Sequence, residues 1–578
     1  MHALRPLAAT LALALASFAT VAAPASPIAA ATPAAAATPA APAALEAGTD
    51  AIFARWNRGD SPGCGVAVFR DGAIAFQKGY GQANLELGAP IGADTVFDIG
   101  STSKQFTAAA LLLLERDGKL SLDDDVRKYV PELPDYGQTI TLRQLLQHTS
   151  GLRDYLDVQL LAGVAYDDYS SDRQTLDLLA KQKALNFAPG SEFVYSNTGY
   201  FLAAEIVKRV AGKPLAQFAH ERIFAPLGMR DTLFRDDHTL PVRGRASAYT
   251  RAGGAAGEAA DGIARFRIDM PNWDQVGDGA VLTTLADLQR WDENFYRPVV
   301  GDADFLARLQ QPGRLADGTR LDYALGLFVD SHRGLKTVSH DGAWGGYRAQ
   351  LLRFPERHLS VATLCNLDST DPESLALRVA DLWLGLPPEP AARRAPRPTV
   401  DMLPAAMQRW AGVYRNPATG SLRRIEWDEG ALSLHAFGDT YPMRPVGKDE
   451  FEVDDAPVAA LSFRDPGRGR PRVAVQLADG KRTEFPELQV AQPDAAALAA
   501  YAGDYRCDEL GRDYRFSAID GALHRADARS GPARLQPLER DRFLQGSLNF
   551  RFQRDAAGAI DGVSMDVGRV RDLRCQRR

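Results

Sequence analysis

The chain has 578 residues, of which 45% are hydrophobic and 24% charged, ordinary values for a globular protein of two to four domains. A formal net charge of −6 leaves no electrostatic footprint for nucleic acid. Four cysteines, at 64, 365, 507 and 575, show no short spacing of the zinc or redox kind, so neither a metal nor a cofactor is expected.

Met1-His2-Ala3-Leu4-Arg5 carries the only early charge, and an apolar stretch from Leu7 to Val21 follows before the small residues Ala22-Ala23. This reads as a secretory signal peptide over 1–23, with a membrane anchor as the rival. The stretch is shorter than the ~20 residues a spanning helix needs. Residues 24–45 are almost wholly Ala, Pro, Thr and Ser, a composition that cannot bury a core and reads as a tether. The expected location is periplasmic or secreted, where an even number of cysteines favours disulfides.

From Cys64 the pattern is strand, turn, strand: Gly65-Val66-Ala67-Val68-Phe69, then Arg70-Asp71-Gly72, then Ala73 to Phe76. A helix starts near Ser101, runs through Thr107 to Leu114 and ends at Gly118. It is apolar all round, as a helix buried in a large domain is. Residues 120–291 read as mostly helical, most clearly from Thr198 to Val210 before Gly212. Strands return at Tyr323–Phe328, Lys336–Ser339, Tyr347–Phe354 and Leu359–Leu364. Strands at both ends with helices between predict one antiparallel sheet flanked by helices. If its first and last strands are neighbours, Cys64 meets Cys365.

A Pro/Arg-rich linker, 387–400, closes a domain spanning 46–386. Beyond it the chain repeats with an offset of 91: Trp410-Ala411-Gly412-Val413-Tyr414-Arg415 is echoed by Tyr501-Ala502-Gly503-Asp504-Tyr505-Arg506, and Gly430-Ala431-Leu432 by Gly521-Ala522-Leu523. Residues 401–490 and 491–578 therefore read as two small antiparallel β-barrel-like domains. Cys507 and Cys575 fall on the first and last strands of the second, neighbours in a closed barrel.

Three groups of residues carry chemistry. Ser101 and Lys104 lie at i and i+3 of a helix start, on one face, where a lysine depressed by burial can take the serine proton. The backbone N–H of Ser101 is free there to hold an oxyanion. A Ser-x-x-Lys alone is a weak signal, and a capping serine with a solvated lysine is the plain alternative. Tyr195-Ser196-Asn197 precedes the 198–210 helix, and His340-Asp341-Gly342 ends a strand before Ala343. His332-Arg333-Gly334 has the same form but reads as an exposed turn. A satisfied structural histidine is the plain alternative for His340.

In that order, Ser101-x-x-Lys104, Tyr195-x-Asn197 and His340-x-Gly342 resemble the three motifs of the class C β-lactamase and DD-peptidase family. Phe97-Asp98-Ile99-Gly100, Leu145 to Leu152 and Pro226-Leu227-Gly228-Met229 resemble it too, over about 45–386. The resemblance implies a β-lactamase-like sandwich fold and a serine hydrolase working through an acyl-enzyme. Ser101, Lys104 and Tyr195 would be catalytic, and Asn197, His340, Asp341 and Gly342 would bind substrate. The N–H groups of Ser101 and Ala343 would form the oxyanion hole, and the His148-Thr149-Ser150-Gly151 stretch would be structural. One departure bears on substrate: members that cleave β-lactams well carry Lys-Thr-Gly or Lys-Ser-Gly as the third motif. An Asp341 carboxylate beside a mostly neutral histidine should repel a substrate carboxylate and suit an amine or a neutral ester. The two appended β domains resemble the layout of D-aminopeptidase-type members. The sequence thus favours a peptidase or esterase acting on a small-molecule or peptide substrate, with D-amino-acid peptides or esters among the candidates. The alternatives are a weak β-lactamase or DD-carboxypeptidase, and a non-catalytic penicillin-binding-like sensor. Oligomeric state is left open.

Overall fold

A computed structural model describes residues 42–252, 262–387, 397–417, 420–428, 430–436, 439–453, 460–467, 471–478, 481–526 and 531–578. The expected signal peptide and most of the tether lie outside them. The main sheet is antiparallel, in the order β3-β4-β5-β6-β1-β2. The strands are β1 (Cys64–Arg70), β2 (Ala73–Tyr80), β3 (Phe328–His332), β4 (Leu335–Trp344), β5 (Tyr347–Phe354) and β6 (Leu359–Cys365). The first strand does lie beside the last, with Cys64 opposite Cys365 and the two joined in a disulfide. The β1–β2 turn is the expected one, Asp71 and Gly72 both taking positive φ, 51° and 81°.

Strand β1 is a continuous apolar run because both of its faces are buried. Val66 and Val68 join a core with Leu375, Val379 and Trp383 of helix α6 (Pro372–Leu384) and Phe53 of helix α1 (Pro42–Phe53). Ala67 and Phe69 point the other way, into a core built around helix α2 (Lys104–Arg116). Every residue of α2 from Lys104 to Leu114 is buried. A helix so enclosed holds its first turn rigidly, and that turn is the tight 3-10 segment Gly100–Ser103. Helices α3 (Leu142–Leu146), α4 (Tyr155–Ala162) and α5 (Asn197–Ala211) complete the layer around it, α5 ending at Gly212 in the left-handed region, φ 68°.

One strand expectation fails. Tyr323–Phe328 is a turn carrying an isolated bridge between those two residues, and β3 starts only at Phe328. The cause is tertiary: Gly326, at φ 75°, crosses so close to the head of α2 that a Cβ there would lie 2.7 Å from the Lys104 carbonyl carbon.

The C-terminal third consists of two nearly closed barrel-like sheets. The first is a sequential meander of eight strands among the described residues, Gly412–Arg415 to Lys481–Pro486, closed by a bridge between Tyr414 and Glu487. The second has nine strands among the described residues, with β7 (Gly503–Cys507) beside β9 (Val570–Arg577), so that Cys507 and Cys575 are joined as expected. The internal repeat is visible as one hydrogen bond made twice: Tyr414 Oη donates to the Trp410 carbonyl at 2.9 Å and Tyr505 Oη to the Tyr501 carbonyl at 2.8 Å.

The second sheet shares its apolar core with α4, through Val158 and Leu161 packed with Tyr514 and Val567. A buried ion pair, Arg153 to Glu509 at 2.5 Å, ties it to the loop that precedes α4, and the same guanidinium donates to the carbonyls of Arg571 and Asp572. This docking aims the tight turn between β8 (Ile560–Val567) and β9, Gly568-Arg569, at the mouth of the site.

Candidate active site

Lys104 is the centre of the site. Its Nζ donates to Ser101 Oγ at 2.9 Å, Asn197 Oδ1 at 2.9 Å and the Asp278 carbonyl at 2.6 Å. The helix repeat sets Ser101 and Lys104 on one face, and the start of α5 brings Asn197 to them. Burial lowers the Lys104 pKa to about 8, against the pull of the nearby Asp278 and Asp154 carboxylates. The plain reading, a solvated lysine behind a capping serine, does not hold, because Lys104 is 0% exposed. Burial likewise raises the Asp278 carboxyl above the usual range, although its Oδ2 accepts a hydrogen bond from Tyr155 Oη at 3.0 Å.

Tyr195 presents its ring to cations on two sides, with Lys104 Nζ 4.9 Å and the Arg569 guanidinium 5.2 Å from the ring centre. The His148 ring packs on it at 4.1 Å. The Tyr195 hydroxyl is buried and has no hydrogen-bond partner among the described residues. Burial drives its pKa well above 10, so the phenol stays neutral. His148 Nδ1 accepts from the Ser196 N–H at 3.0 Å, which fixes the backbone between Tyr195 and Asn197.

Strand β4 runs tightly against the Ser101 turn. Thr102 Oγ1 donates to the His340 carbonyl at 3.1 Å. A Cβ on Gly342 would lie 1.9 Å from the Ile99 carbonyl oxygen, and one on Gly100 would lie 2.6 Å from the Ala343 nitrogen. Only glycines allow this approach, which brings Ser101 and Ala343 to the wall of one cavity of about 570 Å³. Asn197, Asp341 and Tyr195 line that cavity as well.

His340 and Gly342 are placed differently from the expected substrate contacts. The His340 side chain is fully buried, with Nε2 3.0 Å from Tyr323 Oη and Nδ1 2.6 Å from the Asp341 carbonyl. Burial lowers its pKa, which favours the neutral ring, and neither it nor Gly342 lines the cavity. Asp341 stands at the wall with its side chain 58% exposed and the His340 ring 3.7 Å away; among the described residues no lysine or arginine pairs with it.

Several residues at the site carry little or no signal in the sequence. Asp154 caps α4, and its Oδ2 accepts from the Asn197 N–H at 2.6 Å and from Arg569 at 3.2 Å. Arg569 comes from the second barrel, and its own N–H donates to Asp157 Oδ2 at 2.7 Å. An aromatic cluster, Tyr166, Trp273 and Trp344, lines the cavity beyond Ala343, with ring centres 5.5–5.8 Å apart and Asp269 beside it. Asp154 carries a weak sequence signal as a cap before an apolar helix. Arg569 carries none.

The fold, with a serine and a buried lysine of lowered pKa at the head of its central helix, defines an active-site serine hydrolase of the Ser-x-x-Lys kind. The Beta-lactamase family model matches residues 49–416, and the chain belongs to that family. It is 27% identical over 548 residues to a D-aminopeptidase of Brucella melitensis, covering 92% of this chain and 98% of the relative. A D-aminopeptidase of Brucella anthropi is 27% identical over 534 residues, covering 89% and 95%. Among solved structures, an octameric penicillin-binding protein homologue from Pyrococcus abyssi superposes with a TM-score of 0.53 at 22% identity, over 84% of this chain and 98% of that one.

Proposed function

We propose that the protein hydrolyses amides or esters of D-amino acids through an acyl-enzyme on Ser101. The observation that carries this reading is the Lys104 hydrogen-bond set, a depressed amine 2.9 Å from the serine hydroxyl. Lys104 in its free-base form takes the Ser101 proton as Oγ bonds to the substrate carbonyl carbon. The oxyanion rests on the N–H groups of Ser101 and Ala343. The neutral Tyr195 hydroxyl gives its proton to the leaving nitrogen or oxygen as its bond to carbon breaks and takes back the one held by Lys104. Water, losing its proton to the free Lys104 amine, then cleaves the acyl-enzyme, and that proton returns to Ser101 Oγ. Asn197 orients Lys104 and the substrate amide. The aromatic cluster and Asp269 suit an apolar side chain and an ammonium group, and Asp341 disfavours a substrate carboxylate. The D-configuration is taken from the D-aminopeptidase relatives, which are similar along both barrels.

The test is a panel of D- and L-amino-acid p-nitroanilides, p-nitrophenyl esters and a labelled penicillin, with wild type beside Ser101→Ala. Faster turnover of D- than L-substrates and a +acyl mass on wild type alone are expected. Equal rates from the variant, or no acylation by any compound, sinks the reading.

Export is proposed with it. Two disulfides support it, and no helix among the described residues is long and apolar enough to cross a membrane. A mature chain recovered from the periplasm or medium and beginning after Ala23 is the expected product; a cytoplasmic chain retaining Met1 counts against it.

A further inference from the structure

On the far side of Asp341 from the aromatic cluster, a second recess of about 340 Å³ opens between β3, β4, β5 and α6. It shares Phe328 and Asp341 with the active-site cavity, so the two adjoin at those side chains. The strand register explains its lining. Asp341 pairs with Gln350 across β4–β5, and Thr337 with Asp330 across β3–β4, which turns all four side chains to one face. Glu373 of α6 closes the far wall.

Three carboxylates, Asp330, Asp341 and Glu373, therefore face one small volume. Among the described residues none is joined to a lysine or arginine: Asp330 accepts only the Ser331 N–H, and the one basic side chain on the wall, His332, is held by Asp381 at 2.7 Å. The Glu373 pKa is raised by burial and then by Asp341, Asp371 and Asp330, so the field in the recess is unneutralised. A second feature points to a donor. Gln350 is 2% exposed, and its Oε1 has no hydrogen-bond partner among the described residues. Its cross-strand neighbour Thr363 does not consume that acceptor, since Thr363 Oγ1 is without a partner too. An unsatisfied acceptor in the wall beneath three carboxylates fits an N–H-bearing cation.

The occupant is an organic cation rather than a metal ion. Among the described residues, only Asp237, His238 and Asp274 gather three ligand atoms within 4.8 Å of one another, so the recess carboxylates are too far apart to hold one ion together. The direction of β4 sets which end of the substrate reaches it. A carbonyl held at Ala343 has Trp344 on one side and Asp341 on the other. The Asp341 side is where Phe328 and the Tyr323 ring pack, 4.7 Å apart, with Tyr195 6.2 Å from Tyr323. Tyr195 serves the departing group, so the recess lies on the leaving-group side.

We propose that this recess is a subsite for a leaving group ending in an ammonium or guanidinium, a claim that rests on the amide- and ester-cleaving reading of Ser101. The probes are two amides of D-phenylalanine, one with 1,4-diaminobutane and one with pentylamine, equal in length and differing in the terminal charge. Wild type should prefer the charged amide in kcat/KM by about tenfold or more, as charge-assisted hydrogen bonds at a part-buried site give. Glu373→Gln with Asp330→Asn should shrink that ratio to a few-fold, and Gln350→Met should lower it separately. Dissociation constants of both amides are measured on Ser101→Ala. Equal kcat/KM and equal Kd for the two amides overturns the subsite, as does a preference that survives the double variant. If neither amide is cleaved but Ser101→Ala still prefers the charged one in a Glu373-dependent way, the subsite stands and the hydrolase reading falls.

Discussion

Raising the pH from 7 to 9 should increase acylation about tenfold, because the base is Lys104. Burial brings its pKa to about 8. The protonated amine cannot accept a proton, so the competent fraction is about one-eleventh at pH 7 and about ten-elevenths at pH 9. The sign is therefore a rise with pH, and Tyr195, whose pKa lies well above 10, adds nothing in this window. A neutral ester such as p-nitrophenyl acetate is the right substrate, since it has no group of its own that titrates. Ser101→Ala supplies the background from hydroxide. Lys104→Met is the companion variant. It keeps the buried volume and removes the amine, and loss of a general base costs about 10²- to 10⁴-fold in rate. Its effect on stability is small because two terms oppose. Three acceptors, Ser101 Oγ, Asn197 Oδ1 and the Asp278 carbonyl, lose their donor at about 1 kcal/mol each. Removal of a desolvated charge returns a comparable amount. A flat profile between pH 7 and 9, or Lys104→Met acylating within tenfold of wild type, would refute the assignment of Lys104 as base.

Asp341→Thr should speed acylation by penicillins by removing the carboxylate that faces their own; unchanged labelling rates count against the repulsion. Gly342→Ala should abolish most turnover while the protein stays folded, since its Cβ would overlap the Ile99 carbonyl and push β4 off the Ser101 turn; circular dichroism beside kcat separates the two. Glu509→Ala leaves the Arg153 guanidinium buried without its carboxylate, which should destabilise by about 3–5 kcal/mol in denaturant titration. Activity should fall at lower denaturant than the main unfolding transition, as Gly568-Arg569 leaves the site. Replacing Cys507 and Cys575 by serine reopens a loop of sequence separation 68, a loss of about 4 kcal/mol on the chain-entropy scale, read as a lowered unfolding midpoint.

Features encoded over short stretches are legible in the amino-acid sequence alone. The Asp71-Gly72 turn, the buried helix after Ser101, the helix ending at Gly212 and the 91-residue repeat each rest on local periodicity or on residues with special backbone freedom. The pairing of both disulfides is legible too, because strands at the two ends of a sheet or barrel close on each other. Long-range contacts decide the rest. Whether Lys104 is a solvated cation or a depressed base depends on what covers it, and its partners Asn197 and Asp278 lie 93 and 174 residues away. His340 has the look of a substrate ligand in its motif, yet the 3.0 Å contact with Tyr323 Oη turns it inward. The Gly326 crossing over α2 breaks a strand that β propensity favours. Arg569 reaches Asp154 across 415 residues through a docked barrel, and no pattern within either segment encodes that meeting. Local sequence determines which residues are able to do chemistry. Burial and approach, which are properties of the packed chain, determine their protonation, their partners and the walls of the cavity they share.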